Sequence, residues 1–257
     1  MTLLLPTLFF TLSIALTTTS TSQTSPSSIP TLTSQSAHDD NDRVFEHWQA
    51  GSIVTDAEAE HYGLDKCFAS CPISNEVFAR IKGKSYKDYC QIPLTHLRYI
   101  KVLHRNATGQ TQLGELVCHR DIAADLVSIF KSLYKANYRI ERMVLIDNYN
   151  ADDEPSMLAN NTSCFNYRYI AGTKRLSNHS SGRAIDINPL YNPYVYHNAK
   201  GNLVVSPSKA KAYANRKASF PYKIDKNDLC YREFIKHGFI WGGSWKRRID
   251  YQHFEKK

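Results

Sequence analysis

The 257-residue chain is marked first by what it lacks. It has no internal repeat at a period of 20 to 50 residues, which excludes solenoids and propellers. It has no HExxH helix, which excludes the metallopeptidases built on that motif. No basic helix with interleaved aromatics and no nucleic-acid-binding fingerprint appears, so nucleic acid is not an expected partner. The longest apolar run, LLLPTLFFTLSIAL from Leu3 to Leu16, is too short for a comfortable membrane span. Lys and Arg are missing ahead of that run, and from Thr17 to Ser36 the chain offers almost nothing that a core could bury.

What is present reads in order. Leu3–Leu16 has the length of a signal-peptide core and is followed by small polar residues, so residues 1–22 are expected to be a signal peptide and 23–40 a disordered Ser/Thr-rich segment. No stable membrane span is expected once the signal is cleaved, and the location implied is periplasmic or secreted. Residues 41–90 read as an N-terminal helical extension and 91–257 as the main domain. Six cysteines, Cys67, Cys71, Cys90, Cys118, Cys164 and Cys230, suit disulfides in an oxidising compartment, with their pairing left open. Net charge is +8, and Arg216–Lys257 holds eleven Lys or Arg against five Asp or Glu. Such a patch favours an anionic partner, here an extracellular acidic polymer.

Periodicity predicts helices over 74–85 with Ser74 as cap, over 121–137 with Asp121 as cap, and over 227–238. Strands are predicted at 97–104, at RMVLID (142–147) and at DYQHFE (250–255), with a polar loop over 148–163 that holds Asp152, Asp153 and Glu154. This order implies an α+β fold: one domain with a small, mostly antiparallel sheet flanked by helices.

The chemistry concentrates in LSNHSSGRAIDINP, Leu176–Pro189. Asp186 lies in the apolar run AIDI, where an ionised carboxylate is costly to desolvate unless paired. A divalent cation would explain it. His179 is the nearest co-ligand, and His253 in DYQHFE is the best third, since catalytic zinc sites commonly use three protein ligands. Each histidine taken singly reads first as an ordinary hydrogen-bonded residue.

SNHSSGRAIDINP and WGGSWKRRIDYQHFE together resemble the two signature blocks of the VanY-type D-alanyl-D-alanine carboxypeptidases, a zinc peptidase family that also includes L-alanyl-D-glutamate endopeptidases. The resemblance extends from about Gln91 to Glu255. It implies Zn²⁺ held on the sheet by His179, Asp186 and His253, with Asp250 as general base. Arg168 in FNYR then holds the polarised carbonyl oxygen or a substrate carboxylate, the alternative being a salt bridge to Asp152 or Asp153. Ser177, Gly182 and Trp241 match positions that shape the site. Ser244 stands where the family usually has an acidic residue, which bears on substrate preference. The implied substrate is a peptidoglycan stem peptide. The competing function is a non-catalytic zinc-containing wall-binding module of the same fold, as in hedgehog signalling domains.

Overall fold

The computed structural model describes residues 43–170 and 172–257. The expected signal peptide and Ser/Thr-rich segment lie outside the described residues. The fold is α+β, and its three small sheets are antiparallel throughout.

The largest sheet is built on a long hairpin, β3 (Leu97–Arg105) and β4 (Thr111–His119), with β1 (Ile53–Val54) and β2 (Ala69–Pro72) along its two edges. The hairpin turn is closed by Asn106, whose side-chain oxygen accepts from the Thr108 and Gln110 amides. Helix α1 (Asp56–Tyr62) follows β1, and α2 (Asn75–Ile81) follows β2. The stretch expected to be a helical extension therefore also supplies both edge strands. Ser74 caps α2 as predicted, accepting from the Val77 amide.

Helix α3 (Arg120–Lys135) packs on β3 through Ile122, Leu126, Ile129, Phe130 and Leu133, the face its periodicity predicts. Its cap is His119, not Asp121: the His119 Nδ1 accepts from the Asp121 amide. RMVLID forms no strand. It is extended chain that makes one bridge, Arg142 to Asn161, and enters a 3-10 turn at Ile146. The strand that does fill the sheet, β4, carries Gly114 and Glu115 and is buried on both faces, so it shows no alternation to read. Glu115 is tolerated there because Arg80 of α2 pairs with both of its oxygens, Tyr99 donates at 2.6 Å and the Leu145 amide donates at 3.3 Å.

The polar loop at 148–163 contains a short helix, α4 (Asp153–Leu158), capped by Asp152. Beyond it come β5 (Ala184–Asp186), the hairpin β6 (Tyr194–His197) and β7 (Leu203–Ser206), and helix α5 (Leu229–Lys236). Asp228 caps α5, one residue later than the expected Asn227. The expected final strand is two strands, β9 (Arg248–Asp250) and β10 (His253–Glu255). The chain bends at Tyr251–Gln252, where the Trp241 indole donates to the Tyr251 carbonyl and the Ile187 amide to the Gln252 carbonyl. One sheet runs β5-β10-β8, with β8 at Ile240–Trp241, and the other β7-β6-β9.

All six cysteines are free, and no disulfide links them. Four are buried, and their thiols serve as small apolar groups with weak contacts, such as Cys164 Sγ to the Gly182 carbonyl at 3.5 Å and Cys67 Sγ to the Gly63 carbonyl at 3.7 Å. Among the described residues no helix is long and apolar enough to cross a membrane.

The Glu115 cluster predicts a measurable dependence. Arg80→Ala leaves the carboxylate buried with only Tyr99 and one amide. Because Arg80 is itself partly exposed, the expected loss is about 2 kcal/mol of unfolding free energy, below the range for a fully buried pair. Urea denaturation reads it, and an unchanged midpoint would show that the pair carries no net stability.

Candidate metal centre and cleft

The 3-10 turn Asn178–Ser181 presents His179. Ser177 caps it, accepting from the His179 amide, and Gly182 closes it with φ +69°. A Cβ at Gly182 would lie 2.8 Å from the His119 amide nitrogen, so only glycine lets this turn sit against the end of β4. The His179 Nδ1 hydrogen-bonds the Cys164 carbonyl at 2.7 Å. A carbonyl only accepts, so Nδ1 carries a proton and Nε2 is the ring nitrogen that faces inward.

Asp186 ends β5 and His253 begins β10, and the two are direct partners in the antiparallel ladder. Pairing therefore places a carboxylate and an imidazole side by side. The His253 Nδ1 lies 3.1 Å from Asp186 Oδ1, the His179 Nε2 lies 3.2 Å from Asp186 Oδ2, and the two rings approach at 3.3 Å between His179 Nε2 and His253 Nδ1. Ligand atoms of all three lie within 4.8 Å of one another. A tetrahedral ion with bonds of about 2.0–2.1 Å separates its donors by roughly 3.3–3.4 Å, so this two-nitrogen, one-carboxylate set fits a divalent cation in composition and spacing.

Glu255 stands behind His253, accepting at 3.2 Å from Nε2, and Asn178 donates to the same carboxylate oxygen. It fixes the ring and keeps Nδ1 turned to the cluster, the usual arrangement of a carboxylate behind a ligating histidine. Asp250 ends β9 in the neighbouring sheet and reaches the same cleft. Its Oδ1 is inaccessible and has no hydrogen-bond partner.

The charges follow from this packing. Burial works to raise the Asp186 carboxyl, but the His179 and His253 imidazoles override it and hold it below the ordinary range. Burial likewise works to lower His253, yet its hydrogen bonds to Asp186 and Glu255 prevail and push it up to about 10. Asp250 is pushed up to about 7, by burial first and by the nearby Asp186 charge second.

The cleft occupies about 710 Å³. His179, Asp186, His253, Asp250, Arg168 and Ser177 all line it. Arg168 is ion-paired with Asp153, the salt-bridge arrangement, with both residues on the cleft wall. Trp241 and Ser244 do not line it. Trp241 is buried and stacked on Phe254, while Ser244 is exposed in the turn Gly242–Ser244. Two neighbours that sequence reasoning did not single out belong to the site. Trp245 lies in the cleft with its ring 5.3 Å from that of His253. Gly242 packs so closely that a Cβ would lie 2.7 Å from the Asp250 carbonyl oxygen, 3.0 Å from its Cβ and 3.2 Å from the His253 Cβ. The adjoining glycine pair and tryptophans in WGGSW were the available signal.

Residues 171–256 match the family model of D-alanyl-D-alanine carboxypeptidase. His179, Asp186, Asp250 and His253 fall inside the match; Arg168 lies three residues before it. No curated protein and no solved structure matches the chain.

Two outcomes follow from the geometry. His253 carries a proton at neutral pH in the metal-free protein, so a cation bound at its Nδ1 must displace that proton. Each ion bound near pH 7 should release at least one proton, and affinity should rise with pH by about tenfold per unit for each proton released. Calorimetry in buffers of different ionisation heat reads this, and a flat affinity between about pH 6 and pH 8 would contradict the ligand set. Gly242→Ala should push Asp250 and His253 apart and lower metal affinity by about tenfold or more, with circular dichroism unchanged. Wild-type metal content in that variant would show that the contact relaxes freely.

Proposed function

We propose that the chain is an exported zinc peptidase hydrolysing amide bonds in peptidoglycan stem peptides, either as a D-alanyl-D-alanine carboxypeptidase or as an L-alanyl-D-glutamate endopeptidase. Periplasmic or secreted, it works as one domain on its anionic wall, which the basic residues of Arg216–Lys257 hold by long-range attraction. The observation that carries the reading is the convergence of His179, Asp186 and His253 with the separately mounted carboxylate of Asp250 in one cleft. The carboxypeptidase match over 171–256 supports it.

Bound by the three side chains, zinc would supply Lewis acidity and lower the pKa of water to about 7. The chain's own residues do the rest. Asp250 accepts the proton of the attacking water at its carboxylate and returns it to the leaving amine nitrogen. With a cation held by the cluster, the Asp250 carboxyl would be drawn down from about 7 and would be ionised at neutral pH. Arg168, steadied by Asp153, offers its remaining N–H donors to the carbonyl oxygen as negative charge grows there. Glu255 serves as the orienting group of His253 and not as the base, since it sits behind the ring and does not line the cleft.

Asp250→Asn keeps the shape and removes the proton acceptor. Turnover of soluble muropeptides should fall about 10²- to 10⁴-fold with zinc content unchanged, whereas Glu255→Gln should weaken zinc retention. Mass spectrometry of the products identifies the bond: loss of one alanine marks the carboxypeptidase, release of the stem from its first L-alanine the endopeptidase. Wild-type turnover in Asp250→Asn would sink the assignment of the base. Absence of any cleavage by zinc-loaded wild type would favour the binding module instead.

A further inference from the structure

The sheet face that carries Asp250 continues away from the metal centre. Strands β6 and β9 are registered so that Tyr194 lies opposite Asp250 and Tyr196 opposite Arg248. Residues directly opposite, or two apart on one strand, share a face, so these four side chains stand together, and Tyr194, Arg248 and Asp250 all line the cleft.

Arg248 is held in place by neutral groups. Its Nη1 donates to the Tyr194 hydroxyl at 3.0 Å, and its guanidinium carbon lies 4.7 Å from the centre of the Tyr196 ring. Among the described residues no carboxylate pairs with it. The contrast with Arg168 is direct: that guanidinium also faces the cleft, but Asp153 neutralises it. A guanidinium has five donors and no acceptor. Arg248 thus has its orientation fixed and most of its donors and its charge left over.

We propose that Arg248 is a specificity-determining residue that binds a free carboxylate on the leaving-group side of the substrate, on the carbon attached to the scissile nitrogen. This rests on the peptidase reading above. Asp250 must reach that nitrogen to protonate it, and Arg248 flanks Asp250 on the side away from His253. From nitrogen to a carboxylate oxygen is three bonds, at most roughly 3.6 Å, and a charge-assisted hydrogen bond to that oxygen adds about 2.8 Å. Their sum fits within the step of about 6.7 Å between alternate residues of a strand. The substrate class is therefore a peptide whose leaving residue presents an unmodified α-carboxylate, and amidation of that group should count against it.

The test pairs each stem peptide with its amide: the peptide ending in D-alanine against its C-terminal carboxamide, and the D-glutamate form against the D-isoglutamine form. KM and kcat are measured for zinc-loaded wild type, Arg248→Gln and Arg248→Lys, and binding of the same peptides is measured by calorimetry in an Asp250→Asn background. Arg248→Gln should raise KM for the acid by about tenfold, leave KM for the amide and both kcat values within about twofold, and be partly rescued by Arg248→Lys. An equal effect on acid and amide, or no discrimination by wild type, would overturn the assignment of Arg248 while leaving the peptidase reading in place. Preferential binding of the acid without any hydrolysis would overturn the peptidase reading and leave the carboxylate site standing. Failure to bind or cleave any of the peptides overturns both.

Discussion

Two strands of three residues decide where the charge goes. The ladder between β5 and β10 sets His253 directly against Asp186, and the turn carrying His179 closes over them. A carboxylate and two imidazoles thereby share a space from which most water is excluded, where isolated charge is expensive. Everything around the cluster answers that cost. The Cys164 carbonyl fixes one ring, Glu255 fixes the other, and Asn178 holds Glu255. The metal-free protein balances the site by keeping a proton on His253; a cation held by the same atoms would balance it better, since it satisfies all three donors at once.

The large sheet contributes no cluster residue, yet it sets the position of the cluster. The end of β4 accepts the site turn: the His119 amide donates to the Gly182 carbonyl at 2.7 Å, and the Phe165 amide donates to the Val117 carbonyl at 3.0 Å. His119 also caps α3, so one residue joins sheet, helix and site turn. On the other side of β4, Glu115 ties α2 to the chain at Leu145, just before the turn that leads to α4 and the cleft wall. Residues 43–90 are thus part of the framework that holds the centre, through β1, β2 and α2.

Much of this was legible in the sequence, and the remainder was hidden for identifiable reasons. The buried carboxylate in AIDI announced itself as an electrostatic problem, and His179 and His253 as the nearest solutions. The amphipathic stripe of α3 and the Ser74 cap were equally plain. Strand β4 was not, because burial on both faces removes alternation, and its Gly114 and Glu115 look like loop residues until the His104, Met143 and Arg80 side chains around them are known. RMVLID looked like a strand by composition, but its backbone amides are met elsewhere, Val144 by the Asn161 side chain and Leu145 by Glu115. The cysteine count suggested disulfides, but all six thiols are free, and the four buried ones pack as small apolar side chains.

The break between β9 and β10 shows why spacing alone could not define the centre. On one continuous strand, Asp250 and His253 are three positions apart and would point to opposite faces, so they could not both face one cleft. The bend at Tyr251–Gln252 removes that conflict by passing the chain from one sheet to the next. It is held by the Trp241 indole on one carbonyl, the Ile187 amide on the other, and the Tyr251 amide on Pro193. The missing side chain of Gly242 lets the two limbs close to contact. Trp241 and Gly242 therefore act on the site without lining the cleft: they turn a three-residue spacing into a carboxylate that shares the cleft with the cluster from a second sheet.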